Sequence, residues 1–112
     1  MKMDCLFCKI IAGDIPCTKV YEDEKVLAFR DINPQAKTHV LIVPKKHMAN
    51  VLEADGETMA ALLEGIKKVA EIEGVTADGF RIISNCGKNG CQSVAHLHIH
   101  LVGGEQLSEK MA

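Results

Sequence analysis

The chain of 112 residues has no tryptophan, one tyrosine and three phenylalanines, so any core must be mainly aliphatic. It also lacks a dominant charge: 13 Lys plus Arg stand against 15 Asp plus Glu, a formal net charge of −2. Its basic pairs, Lys45–Lys46 and Lys67–Lys68, are ordinary surface charge, and no nucleic-acid partner is expected. No apolar run reaches the ~18 residues a membrane helix needs, so no membrane association is expected. The amino terminus lacks a secretory pattern. The cysteines, Cys5, Cys8, Cys17, Cys86 and Cys91, are odd in number, which predicts reduced thiols and a cytoplasmic setting rather than a disulfide framework. Repeats, low-complexity segments and linkers are missing, and the length predicts one domain over 1–112.

What is present reads as short elements. In "DCLFCKIIAGDIP", Asp4 is a candidate N-cap and Gly13 and Pro16 are stop signals, predicting a short helix over 5–11. "KVYED" and "VLAFRDI" flank a charged turn and predict a hairpin. "HVLIV", ended by Pro44, predicts a central strand covered on both faces. Over 57–73, Met59, Leu62, Leu63, Ile66, Val69 and Ala70 recur at helical spacing before Gly74, predicting one long amphipathic helix. "GFRIIS" and "VAHLHIHLV" predict two further strands. Without regular βαβ alternation, the expected class is α+β, a five-stranded antiparallel sheet with one long and one short helix.

"HLHIHLV" sets His96, His98 and His100 at alternate positions. On a strand they share one face, while Leu97, Ile99 and Leu101 turn to the core. Packing does not call for imidazole at three successive same-face positions. Two chemical uses remain. One is metal ligation, although strand geometry spreads the outer two side chains roughly 6–7 Å apart, so one ion reaches all three only if the strand bends. The other is attack on an anionic centre, a neutral imidazole acting as nucleophile while a protonated neighbour stabilises charge. The preceding loop, "NCGKNGCQS", has the glycines and small polar residues of a turn able to aim N–H groups at an anion.

"GCQSVAHLHIHLVGG" closely resembles the signature of the histidine triad nucleotide-binding proteins, and the resemblance continues at "FCKIIAGDIP", "VLAFRDINPQAKTHVLIVPKKH" and "GFRIISN". Ser93, Gly103–Gly104 and "PKKH" are similar to the phosphoramidase branch. The resemblance implies a HIT-like homodimer that cleaves the P–N bond of purine nucleoside 5′-monophosphoramidates through a nucleotidyl-histidine intermediate, with no catalytic cofactor. It assigns His98 as nucleophile, with His100, His96, His39 and Ser93 as catalytic partners. Asp31 and Ile32 match ribose contacts, and Asn85, Cys91, Gln92 and Ser93 join His98 and His100 in nucleotide binding. By analogy with bacterial members, Cys5, Cys8, His47 and His96 form a tetrahedral structural zinc site. Cys91 stands where glycine is common, and its Cβ is at odds with a tight turn. Rival readings are a dinucleoside polyphosphate hydrolase of the same family, a purine-nucleotide-binding module without turnover, and a zinc-binding structural protein.

Overall fold

The computed structural model describes residues 5–110. The first helix, α1 (Leu6–Ala12), begins at Cys5, whose sulfur accepts the backbone N–H of Cys8 at 3.3 Å, and ends at Gly13 with φ 86°. A thiol therefore caps the helix; Asp4, the expected cap, lies outside the described residues. The predicted hairpin forms from β1 (Lys19–Glu22) and β2 (Val26–Arg30). Its turn is held by Asp23, whose carboxylate accepts the N–H groups of Lys25 at 2.8 Å and Val26 at 2.9 Å.

All of β3 (Thr38–Pro44) is buried, as a strand covered on both faces must be. The long helix, α2 (Gly56–Glu73), is capped by Asp55 accepting from the Thr58 N–H at 2.8 Å, and stops at Gly74. The remaining strands are β4 (Phe80–Ile83) and β5 (Ile99–Gly103), giving an antiparallel sheet in the order β1-β2-β3-β5-β4.

One sheet face, with Val26, Val40, Ile42, Ile99 and Leu101, packs against Leu62, Ile66 and Val69 of α2. Burying each such α2 side chain stabilises by about 1.5–3 kcal/mol. The buried stripe is narrower than its spacing predicts: Met59 and Leu63 are exposed. The helix lies close against the sheet at Gly65, where an added Cβ would sit 3.2 Å from methyls of Ile42 and Val26. That approach centres the contact on Gly65 and turns Met59 and Leu63 outward. The opposite sheet face carries Leu27, Phe29, Leu41 and Val43 under Phe7 of α1.

The strand expected over 94–102 begins only at Ile99. The register pairs Ile42 with Ile99, so continued pairing would bring Pro44 opposite Leu97. Proline has no N–H, and the ladder stops. The Leu97 N–H donates instead to the Met48 carbonyl at 2.7 Å. Alternation nevertheless persists through this lead-in: Leu97, Ile99 and Leu101 enter the core, while His96 and His98 are buried on the other side.

Candidate active site and metal cluster

Four histidines are oriented by one backbone or ring partner each, and those partners fix which nitrogen carries the proton. The Gln35 N–H donates to His39 Nδ1 at 3.0 Å, so the proton of a neutral His39 sits on Nε2. That Nε2 lies 2.9 Å from His100 Nδ1, to which it donates, leaving the His100 proton on Nε2. His98 Nδ1 lies 2.7 Å from the His96 carbonyl, which can only accept, so the proton of a neutral His98 sits on Nδ1 and the lone pair on Nε2. His96 in turn donates from Nε2 to the Pro44 carbonyl at 2.9 Å, which frees its Nδ1 lone pair.

No described buried side-chain nitrogen or oxygen lacks a hydrogen-bond partner, so the unpartnered Nε2 of His98 reaches open space. That space is a cleft of about 780 Å³, within the range of small-molecule sites. Its walls carry His98, His100, Ser93, Asp31 and Ile32, five of the residues singled out from the sequence. An apolar floor of Phe7, Ile10, Phe29, Leu41 and Val94 faces them. His39 lies behind His100, with Nε2 3.6 Å from an Asp31 carboxylate oxygen. The other Asp31 oxygen accepts the Asn33 N–H at 2.8 Å, fixing the carboxylate in its turn.

Burial pushes His39 below the ordinary imidazole value, with Asp31 opposing. His100 falls to about 4, through burial first and then through His98 and His39 beside it; Asp31 again opposes. At His100, desolvation outweighs the single carboxylate and favours the neutral ring.

Cys91, Gln92 and Asn85 do not line this cleft. The Gln92 side chain donates to the Ala49 carbonyl at 2.6 Å and to the Val94 carbonyl at 3.0 Å, and accepts from the Gly87 N–H at 3.0 Å. Asn85 donates to the Gly90 carbonyl at 2.6 Å. Both side chains hold the 85–93 loop together. Cys91 occupies the left-handed region at φ 59°, among the described residues the one non-glycine residue there. The tight turn doubted on account of its Cβ does form, at a local cost of roughly 1–2 kcal/mol.

A second cluster lies behind the cleft. Cys5 Sγ is 3.3 Å from His96 Nδ1, Cys8 Sγ is 3.3 Å from His47 Nδ1, and the two Nδ1 atoms are 3.1 Å apart. All four donor atoms lie within 4.8 Å of one another. Tetrahedral zinc with sulfur and nitrogen ligands has ligand–ligand edges of roughly 3.3–3.8 Å, so the donors fit such an ion with small adjustments. The Pro44 carbonyl behind His96 completes the fit, because a carbonyl partner is what presents a ligating lone pair on the opposite nitrogen.

Sequence reading missed Phe7. Its ring meets His98 edge-on at 5.1 Å between centroids. A signal was available: with only three phenylalanines in the chain, one set between two cysteines is conspicuous.

Residues 12–107 match the HIT domain. A 14 kDa zinc-binding protein from Zea mays is 53% identical over 108 residues, 92% of this chain and 84% of that protein. The purine nucleoside phosphoramidase of Escherichia coli K12 is 44% identical over 115 residues, 100% of this chain and 97% of that protein. A solved HIT family hydrolase from Clostridium thermocellum superposes with a TM-score of 0.94 at 45% identity, covering 98% of each chain.

Proposed function

From the premise that the chain belongs to the HIT domain family, we propose that it is a hydrolase cleaving the P–N bond of purine nucleoside 5′-monophosphoramidates. The observation that carries this reading is the Nε2 of His98 opening on the cleft while its Nδ1 is held 2.7 Å from the His96 carbonyl. The base and ribose occupy the apolar floor and the Asp31–Ile32 rim.

His98 Nε2 attacks the α-phosphorus, and the P–N bond breaks with its electron pair leaving on nitrogen. That nitrogen takes a proton, passed from solvent through the Ser93 hydroxyl, and departs as the amine. The ring becomes an imidazolium, and the His96 carbonyl stabilises the charge growing at Nδ1–H. His100 donates its Nε2–H to a phosphoryl oxygen, with His39 fixing its orientation from behind. Water then attacks phosphorus, the P–Nε2 bond breaks with its pair returning to the ring, and a proton passes to solvent. Nucleoside monophosphate is released.

The proposal includes a structural zinc on Cys5, Cys8, His47 and His96, where it would cross-link α1, the turn after β3 and the lead-in to β5. The maize relative's name and the donor geometry support it. It also includes a homodimer, for which the edge strand β4 offers the exposed Phe80 and Ile82.

The test is to mix the protein briefly with adenosine 5′-monophosphoramidate and look by mass spectrometry for a nucleotidyl adduct on His98. His98→Ala should abolish the adduct, keep the fold, and lower kcat on the order of 10⁴-fold or more. Faster turnover of a diadenosine polyphosphate would move the assignment to that substrate class. Tight nucleotide binding with no adduct would make the protein a binding module.

A further inference from the structure

Phe7 lies between Cys5 and Cys8 on α1, so the helix that contributes two candidate metal ligands also carries the aromatic ring that touches the nucleophile. That ring is buried and makes three edge contacts: with His98 at 5.1 Å and 86°, with His96 at 5.9 Å and 70°, and with Phe29 at 5.6 Å and 71°. His98 is tethered by one hydrogen bond to the His96 carbonyl and touches His100 at 5.0 Å between centroids. A single hydrogen bond leaves the imidazole free to swing about its donor nitrogen. Edge contacts with two rings, Phe7 and His100, restrict that freedom.

The helix that aims Phe7 cannot hold itself. It has seven residues, and a helix of that length is unstable in isolation, so its place depends on what anchors it. The anchors are an apolar face with Phe7, Ile10 and Ile11, and the two thiols that reach His47 and His96.

We infer that Phe7 is a positioning residue through which the Cys5–Cys8–His47–His96 cluster holds His98 in attacking geometry, so that the metal state of the cluster sets the rate of the chemical step. Displacement of a reacting group by about 1 Å costs on the order of 10²-fold in rate, so even a small shift of Phe7 on loss of the thiol anchors of α1 would register in kcat. The inference rests on the proposed role of His98, and its test separates the two. Phe7 also lines the cleft, so its contact with a bound ligand is read in KM and its contact with His98 in kcat.

The experiment is a double perturbation on the full chain, Phe7→Leu and metal removal by a chelator, with the His98 ring proton resonances as readout beside steady-state kinetics. Phe7→Leu should retain one bound zinc per chain, move the His98 resonances, and lower kcat about 10- to 100-fold. Phe7→Tyr, which keeps the ring, should recover most of the kcat that Phe7→Leu loses. Chelation should move the His98 resonances in the parent chain and much less in Phe7→Leu, because the link is already cut. Equal shifts on chelation in both chains would overturn the inference and route the coupling through the His96 carbonyl. An unchanged kcat in a folded Phe7→Leu would overturn it as well. If the parent chain cleaves no phosphoramidate, the functional proposal fails, while the resonance cycle still decides the coupling.

Discussion

Two clusters of metal-type donors lie along the same strand and its lead-in, and they differ in what stands behind the imidazoles. In Cys5–Cys8–His47–His96, the carbonyl of Pro44 accepts the His96 Nε2–H and presents a lone pair to the cluster. In Asp31–His39–His100, whose donor atoms also lie within 4.8 Å of one another, the Gln35 amide donates to His39 Nδ1 and forces the proton of a neutral ring forward into the cluster. A cation there would face an N–H where it needs a lone pair. The first arrangement suits a ligand set and the second a hydrogen-bond relay ending at the His100 Nε2–H. Donor types and distances alone do not separate them; the polarity of one backbone group does.

The comparison breaks most visibly through paired substitutions. Cys8→Ser should remove bound zinc and lower stability by roughly 3 kcal/mol or more, whereas His39→Gln should leave the zinc content unchanged and lower kcat about 10- to 100-fold. Metal analysis with steady-state kinetics checks both, and a second ion per chain lost in His39→Gln would end the distinction. A smaller effect is expected from pH. His100, with its folded value near 4, stays neutral while an unfolded His binds a proton below about 6.5. The unfolded state therefore binds more protons between those limits, and stability falls as pH drops from about 6.5 towards 4. Because His100 is partly exposed, the loss should be on the order of 1 kcal/mol, read as a lower Tm at pH 5 than at pH 7.5 and reduced in His100→Asn. The smallest change is expected away from both clusters. Cys91→Gly relieves a left-handed residue but adds freedom to the unfolded chain, so a net gain of about 0.5 kcal/mol should appear in denaturant melts.

The sheet, both helices and the side of the chain on which the histidines lie were legible because they follow from local periodicity and stop signals. The lead-in at 94–98 was not, because the end of β5 pairing is decided by Pro44 on a different strand. The inner work of Gln92 and Asn85 was equally hidden, since their partners, Ala49 and Gly90, were not identifiable from the loop composition that drew attention to them.

The amino-acid order by itself determined that three imidazoles share one face and that their intervening leucines and isoleucine face a core, because side-chain alternation is a property of extended backbone. It also determined the class of the fold and the HIT resemblance. Only the tertiary structure decided the proton positions of His39, His96, His98 and His100. Each is set by a single group, and for three of the four that group lies elsewhere in the chain or on the neighbouring strand. A neutral imidazole has one proton and two nitrogens, and nothing in its own identity says which one will hold it.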